Sequence, residues 1–339
     1  MNKSIDYRSD TVTQPTVEMR ECMAHARVGD DVYGEDPSVN ELEQSAAQLL
    51  GKQAGLFVSS GTQGNLIAML CHCQRGDEFI SGDIYHVNSS EAGGAAVLGG
   101  IASSVMATGE GLELPLDSLR RAIKPDNVHY PVSRLLCLEN TVHGQVQQQA
   151  HLQALCDITR LAGMLAHLDG ARIMNAAVAL GIGAAEIAEP FDSVSLCLSK
   201  GLGAPVGSVL CGSNEFITKA RRKRKLLGGG TRQAGVLAAC GLYALDNNIE
   251  RLREDHNNAE QLAKSLASLK VMPVEQHTNM VFIEPAAEHM TTLCDHLGKR
   301  GIIISPDSPA IRLVTHLDIS NDDVTQTIEA FKDYFSNTP

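Results

Sequence analysis

Lys200 is the only lysine between residues 125 and 218, and it closes the apolar run Ser193-Val-Ser-Leu-Cys-Leu-Ser199 before the glycine-rich turn Gly201-Leu-Gly203-Ala-Pro-Val-Gly207. An amine placed there is presented to a site rather than given to solvent, and such an amine forms Schiff bases with carbonyl compounds. A second apolar run, Met164-Leu-Ala-His-Leu168, delivers Asp169-Gly-Ala-Arg172 in the same way. If both runs are strands of one sheet, acid, arginine and amine meet at one edge. That set suits pyridoxal phosphate (PLP), which requires a lysine together with an acidic partner for its pyridinium nitrogen. Ser59-Ser-Gly-Thr-Gln-Gly-Asn65 lies between an apolar run and a helical stretch, where backbone amides and hydroxyls at a helix start stabilise a phosphate. Alone it is equally an ordinary capped turn; beside the lysine and the acid it reads as a phosphate site. Gly201-x-Gly203-x-x-x-Gly207 lacks the dinucleotide spacing and there is no P-loop, which disfavours a nicotinamide enzyme.

The elements that must position these groups alternate. Strands are expected at 56–59, 78–80, 103–106, 135–138, 165–169, 193–199 and 208–211, with helices near 63–73, 91–99, 116–124, 151–162 and 183–188. Short apolar runs separated by amphipathic stretches are the pattern of a parallel sheet covered on both faces. Pro37-Ser-Val-Asn-Glu41 reads as a capping box opening a helix with Val39, Leu42, Ala46, Leu49 and Leu50 on one face. Residues 233–269 read as helix interrupted near Asn247-Asn248, and the remainder as a small α/β unit with apolar runs at 280–283, 302–304 and 311–314 and a closing helix over 322–335. The expected organisation is an irregular lead-in over 1–35 that contributes to the active site, a large cofactor-binding domain over 36–246 and a small domain over 247–339.

Composition narrows the class. A net charge of −12 argues against nucleic acid or an anionic membrane as the partner, and 4% aromatic residues with no tryptophan leave few platforms for stacking bases. No apolar stretch reaches the ~20 residues of a membrane span and the N-terminus lacks a signal-peptide core, so a cytosolic protein is expected. Nine scattered cysteines fit a reducing compartment, and Cys71-His72-Cys73, which looks like a metal tract, reads as structural filler on a helix. No metal site is expected.

Arg8-Ser-Asp-Thr-Val-Thr13, Val28-Gly-Asp-Asp-Val-Tyr33-Gly34, Ser60-Gly-Thr62, Glu91-Ala-Gly-Gly94, Leu138-Glu-Asn-Thr141, Asp169-Gly-Ala-Arg172, Leu198-Ser-Lys-Gly-Leu-Gly203, Gly228-Gly-Gly230 and Arg312-Leu-Val-Thr-His316 stand in this order over nearly the whole chain. Together they resemble the L-threonine aldolases. The resemblance implies an aspartate aminotransferase-like α/β fold (PLP fold type I), with a seven-stranded, mostly parallel sheet domain and a smaller C-terminal α/β domain. It implies retro-aldol cleavage of L-threonine, L-allo-threonine and related L-β-hydroxy-α-amino acids to glycine and an aldehyde. β-Elimination or racemisation on the same fold, or cofactor binding with weak catalysis, are the alternatives.

Residue by residue, Lys200 corresponds to the Schiff-base lysine and Asp169 to the partner of the pyridinium nitrogen. Ser60, Gly61 and Thr62 correspond to the phosphate loop. Arg172 and Arg312, with Ser9, correspond to the grip on the substrate carboxylate, a task suited to the planar fork of arginine. His86 matches the histidine that stacks on the cofactor near the substrate hydroxyl, and His129 a second histidine near it. Tyr33 matches an active-site tyrosine at a subunit boundary. The basic run Lys219-Ala-Arg-Arg-Lys-Arg-Lys225 is ordinarily a solvated helix face; the family instead has Lys225 and Arg232 reach the phosphate of a neighbouring subunit, which implies a homo-oligomer, a dimeric unit paired into a tetramer. Val87-Asn-Ser-Ser90 replaces the aromatic residues of many relatives and Val142-His143 replaces a common His-Asn, departures that bear on substrate range.

Overall fold

The computed structural model describes residues 4–306 and 310–337. The first strand is β1 (Ile5–Asp6). The central sheet follows: β2 (Ala54–Val58), β3 (Glu78–Gly82), β4 (Ala102–Met106), β5 (Ser133–Glu139), β6 (Leu165–Gly170), β7 (Ser193–Cys197) and β8 (Ser208–Gly212). Then come β9 (Val274–His277), β10 (Met280–Ile283), β11 (Ile302–Ile303) and β12 (Ile311–Val314), before a closing helix over Asn321–Asn337.

The seven-stranded sheet has the order β2-β8-β7-β6-β5-β3-β4, in which β8 runs antiparallel to both its neighbours and all other pairs are parallel. It is the expected fold class. The strands read as continuous apolar runs because helices cover both faces: Leu135, Leu136, Cys137 and Leu138 of β5 are all at most 1% exposed. The register places Glu139 of β5 opposite Asp169 of β6, and Asp169 opposite Ser195 of β7. β7 ends at Cys197, two residues before its expected limit, so Lys200 lies in the turn beyond the strand. Three carriers of chemistry thus leave the sheet at one edge.

Several local expectations are corrected. The first helix of the large unit spans Pro37–Leu49, and its cap is Asp36 rather than a Ser38 box: the Asp36 carboxylate accepts from the backbone N–H of Ser38 and Val39, with Pro37 supplying the fixed φ of a first turn. Of the helix expected over 91–99 only a π-turn at Ala95–Gly99 forms, and an additional helix, Ile173–Leu180, follows Arg172. The lead-in is not irregular: it holds a helix over Val17–Ala24, and β1 pairs in parallel with β11 while Tyr7 accepts from the N–H of Val314 at 2.8 Å. Ile5 and Tyr7 share an apolar cluster with Leu262, Val281, Leu313 and Phe331, so the start of the chain is built into its last third. β12, β10 and β9 form an antiparallel sheet there, reached through helices at Gly235–Asn247 and Leu252–Ala267.

Candidate active site

Asp169 is 3% exposed at the end of β6, and its carboxylate accepts only from neutral donors: the amide of Asn65 at 2.8 Å and the backbone N–H of Ala171 at 3.0 Å. Among the described residues no cation forms an ion pair with it. A buried carboxylate in that condition is costly unless a positive group completes it, which a protonated pyridine nitrogen would do. Three buried polar atoms at the same edge, Asn140 Nδ2, Thr141 Oγ1 and Ser208 Oγ, also have no hydrogen-bond partner. Ser208 Oγ lies 3.8 Å from where a side chain on Gly61 would begin, beside the first turn of the helix Gly61–His72, whose cap is Ser60. The donor set therefore fits PLP at both ends, ring nitrogen and phosphate.

His86 stands at the start of a short helix, Tyr85 preceding it, and its Nδ1 lies 2.8 Å from Oε1 of Glu91. Glu91 is the acceptor, so Nδ1 carries the hydrogen and Nε2 is left as a base. The hydrogen bond to Glu91 raises the His86 pKa above its ordinary 6.5, against the opposing effect of burial. The backbone N–H of His86 donates to Glu139 at 2.7 Å. Burial, and then the negative charge of Asp169, push the Glu139 carboxyl up to about 7. His86, Glu91 and Asp169 offer metal-ligand atoms within 4.8 Å of one another, but the Asn65 amide already donates to both carboxylates between them.

On the other side of Lys200 the carboxylate-binding candidates do converge. Arg172, held at the N-terminus of the helix Ile173–Leu180, donates from Nε and Nη2 to the two oxygens of the fully buried Asp10. Arg312 of β12 donates to the carbonyl of Arg8 at 3.4 Å. Residues 8–10, with Ser9 in the middle, therefore run between the two arginines. Burial would raise the Asp10 carboxyl, but Arg172, Lys200 and His316 hold it down at about 2. His143 faces the same charges: burial first, then Arg312 and Arg172, lower its pKa.

Other expected residues stay apart. His129 is exposed on the loop before β5, at the opposite end of that strand from Glu139, so it does not reach Lys200 of its own chain. Tyr33 is 75% exposed, Arg232 pairs with Asp30 at 3.1 Å, and Lys225 lies against Gly230 beside Val32. These three form an outward-facing patch without a polar contact to Asp169 or Arg172. Nor is the basic run a uniform solvated face: Arg224 is 3% exposed and donates to Asp31 at 2.6 Å and to the Phe57 carbonyl, and Arg221 pairs with Glu43. Sequence reasoning assigned no role to Asp10, Asn65, Glu91, Glu139 or Ser208. Four of them lie in or directly beside motifs that had been singled out, and the fifth, Ser208, opens an expected strand.

A family model described as beta-eliminating lyase matches residues 6–288. The low specificity L-threonine aldolase of Escherichia coli K12 is 48% identical over 95% of this chain and 96% of its own. The chain belongs to this family. Within the L-threonine aldolases, low-specificity L-threonine aldolase 1 of Arabidopsis thaliana is 42% identical over 97% of this chain and 96% of its own. The fold is that of the Leishmania major threonine aldolase, with a TM-score of 0.83 at 19% identity over 97% of this chain and 99% of that one. A structure of SPT with PLP matches with a TM-score of 0.76 at 16% identity over 97% and 87%. In the L-threonine aldolase frame, the strand-end cluster around Lys200 is the candidate catalytic site.

Proposed function

We propose that this chain cleaves L-threonine, L-allo-threonine and related L-β-hydroxy-α-amino acids to glycine and an aldehyde, which for threonine is acetaldehyde. The observation that carries the reading is the convergence of Lys200, a buried Asp169 with no cationic partner among the described residues, and two arginines flanking Ser9 at one sheet edge. Full-length similarity to low-specificity L-threonine aldolases supports it.

PLP bound at this edge supplies an electron sink for the pair left on Cα when the Cα–Cβ bond breaks. Lys200 would hold it covalently, Asp169 would keep its ring nitrogen protonated, and Ser60, Gly61 and Thr62 with Ser208 would bind its phosphate. Arg172, Arg312 and Ser9 fix the substrate carboxylate and so decide which Cα bond faces the sink. His86 Nε2, kept free by the Nδ1 hydrogen bond to Glu91, takes the β-hydroxyl proton. Loss of that proton with the Cα–Cβ bond makes the aldehyde, and a proton returned to Cα makes glycine. His129, Tyr33, Lys225 and Arg232 complete the site from a neighbouring chain, which makes the active unit a homo-oligomer. Asn88, Ser89 and Ser90, polar and in part exposed beside His86, leave the β-substituent loosely bounded, so bulky and polar side chains are accepted.

Purified protein given L-threonine, L-allo-threonine and phenylserine tests the reading. Equimolar glycine and aldehyde are expected; 2-oxobutyrate and ammonia from threonine would overturn it in favour of β-elimination.

A further inference from the structure

We propose that Asn65 is a positioning residue that divides its two amide hydrogens between Asp169 and Glu91, and that the buried chain His167–Ser193–His72 fixes the amide in that orientation. The inference rests on the proposed role of Asp169 toward the cofactor. Asn65 Nδ2 lies 2.8 Å from Oδ2 of Asp169 and 2.8 Å from Oε1 of Glu91. Carboxylate oxygens accept, so the nitrogen must face them; the flipped amide would set an oxygen against two carboxylates.

The hydrogens beyond Asn65 follow in turn. Its Oδ1 is 3.0 Å from Nε2 of His167 and can only accept, so Nε2 bears the hydrogen. Burial, with the neighbouring His72 second, lowers His167 to about 3, and burial lowers His72 to about 4, so both rings are neutral. Nδ1 of His167 is then a bare lone pair and accepts from Ser193 Oγ at 2.8 Å. That uses the single hydrogen of Ser193, whose 2.8 Å contact with Nε2 of His72 must be donated by His72. Asn65, His167 and Ser193 are all 0% exposed, so solvent offers no alternative partner. The far end is anchored because the His72 ring stacks on Phe216 with centroids 4.7 Å apart and planes 13° from parallel. His72 of the apparent metal tract thus ends a one-way series of donors that terminates on Asp169 and Glu91. Through Glu91 the same amide reaches the Nδ1 side of His86, joining the acid that would pair with the cofactor's ring nitrogen to the proposed base.

Ser193→Ala tests this at a distance, since Ser193 touches none of the reacting groups. Without its hydroxyl, His167 can move its hydrogen to Nδ1 and release the amide to flip. Titration of the apoprotein with PLP is expected to show dissociation constants raised about tenfold in Ser193→Ala and more in Asn65→Ala, the scale of one buried hydrogen bond. Nitrogen-15 spectra of histidine-labelled wild-type apoprotein are expected to show His167 neutral with the hydrogen on Nε2 from pH 5 to 8. A His167 hydrogen on Nδ1 in the wild type, or a folded Ser193→Ala variant with wild-type affinity, overturns the proposal. Asp169→Ala separates the two levels: unchanged PLP affinity there would sink the underlying role of Asp169, whereas a loosened Asp169→Ala with an unaffected Ser193→Ala would sink the chain alone.

Discussion

Asp10 grips Arg172 with both carboxylate oxygens, Nε to Oδ2 at 2.8 Å and Nη2 to Oδ1 at 2.6 Å, across 162 residues of sequence. The pair joins the N-terminal segment, itself packed into the last third of the chain, to the strand-end cluster. It also uses the Nε–Nη2 edge of the guanidinium, so the proposed substrate carboxylate would meet Arg172 at its other edge.

Asp10→Asn is therefore expected to raise KM for L-threonine about tenfold or more while changing kcat little. Asparagine at position 10 would still hold Arg172 in place, so the substrate carboxylate keeps its orientation and loses only strength of grip, a contact made alike in ground and transition states, which costs binding rather than turnover. Asp10→Ala would leave a buried cation unpaired and cost about 3–5 kcal/mol of stability, which makes the asparagine variant the cleaner probe. Steady-state kinetics of Asp10→Asn check the split.

The acid limb of kcat/KM is expected to report His86, which must be neutral to accept a proton. The Glu91 hydrogen bond raises its pKa above 6.5, while burial acts the other way. In Glu91→Gln the raising interaction is gone, so the midpoint of the limb should move to lower pH. An unmoved midpoint would remove His86 as the base and leave His129.

Glu139 makes a stability prediction of opposite sign to the usual carboxylate. Its folded pKa, up to about 7, lies above the ordinary 4.5, so the folded state binds its proton more tightly than the unfolded chain. Its protonated form favours folding below about pH 4.5, and that advantage is lost as pH rises toward 7. Thermal midpoints across this window should fall more steeply with pH in wild type than in Glu139→Gln.

Sharing of the site between subunits is tested by mixing. Lys200→Ala and Arg232→Ala chains should each be inactive, but a mixed dimer would hold one site with an intact lysine and an intact partner arginine. Co-refolded mixtures should recover activity at about one site in four, the statistical yield for a two-fold assembly. No recovery would confine Arg232 to its own chain.

The central sheet was legible because fully buried parallel strands carry apolar runs: Leu135–Leu138 is apolar throughout, and Val194, Leu196 and Cys197 mark β7 around two buried serines. β1 was not: two residues whose partner strand lies near residue 302 leave no local periodicity to read. Lys200, Asp169 and Arg172 could be paired from sequence since each ends or follows an apolar run. Asn65 could not, because its role depends on how one amide faces, and that is set by Asp169, Glu91 and His167, none closer than 26 residues away. The helix cap is Asp36 and not Ser38 for a similar reason of detail: Pro37 occupies the first turn, which puts Asp36 at the cap position.

The most direct measurement is borohydride reduction of the PLP-loaded protein followed by peptide mapping. Reduction would fix the cofactor to whichever amine holds it. The account predicts a pyridoxyl group on Lys200 and none in Lys200→Ala; a modified lysine elsewhere, or trapping that persists in Lys200→Ala, would contradict it.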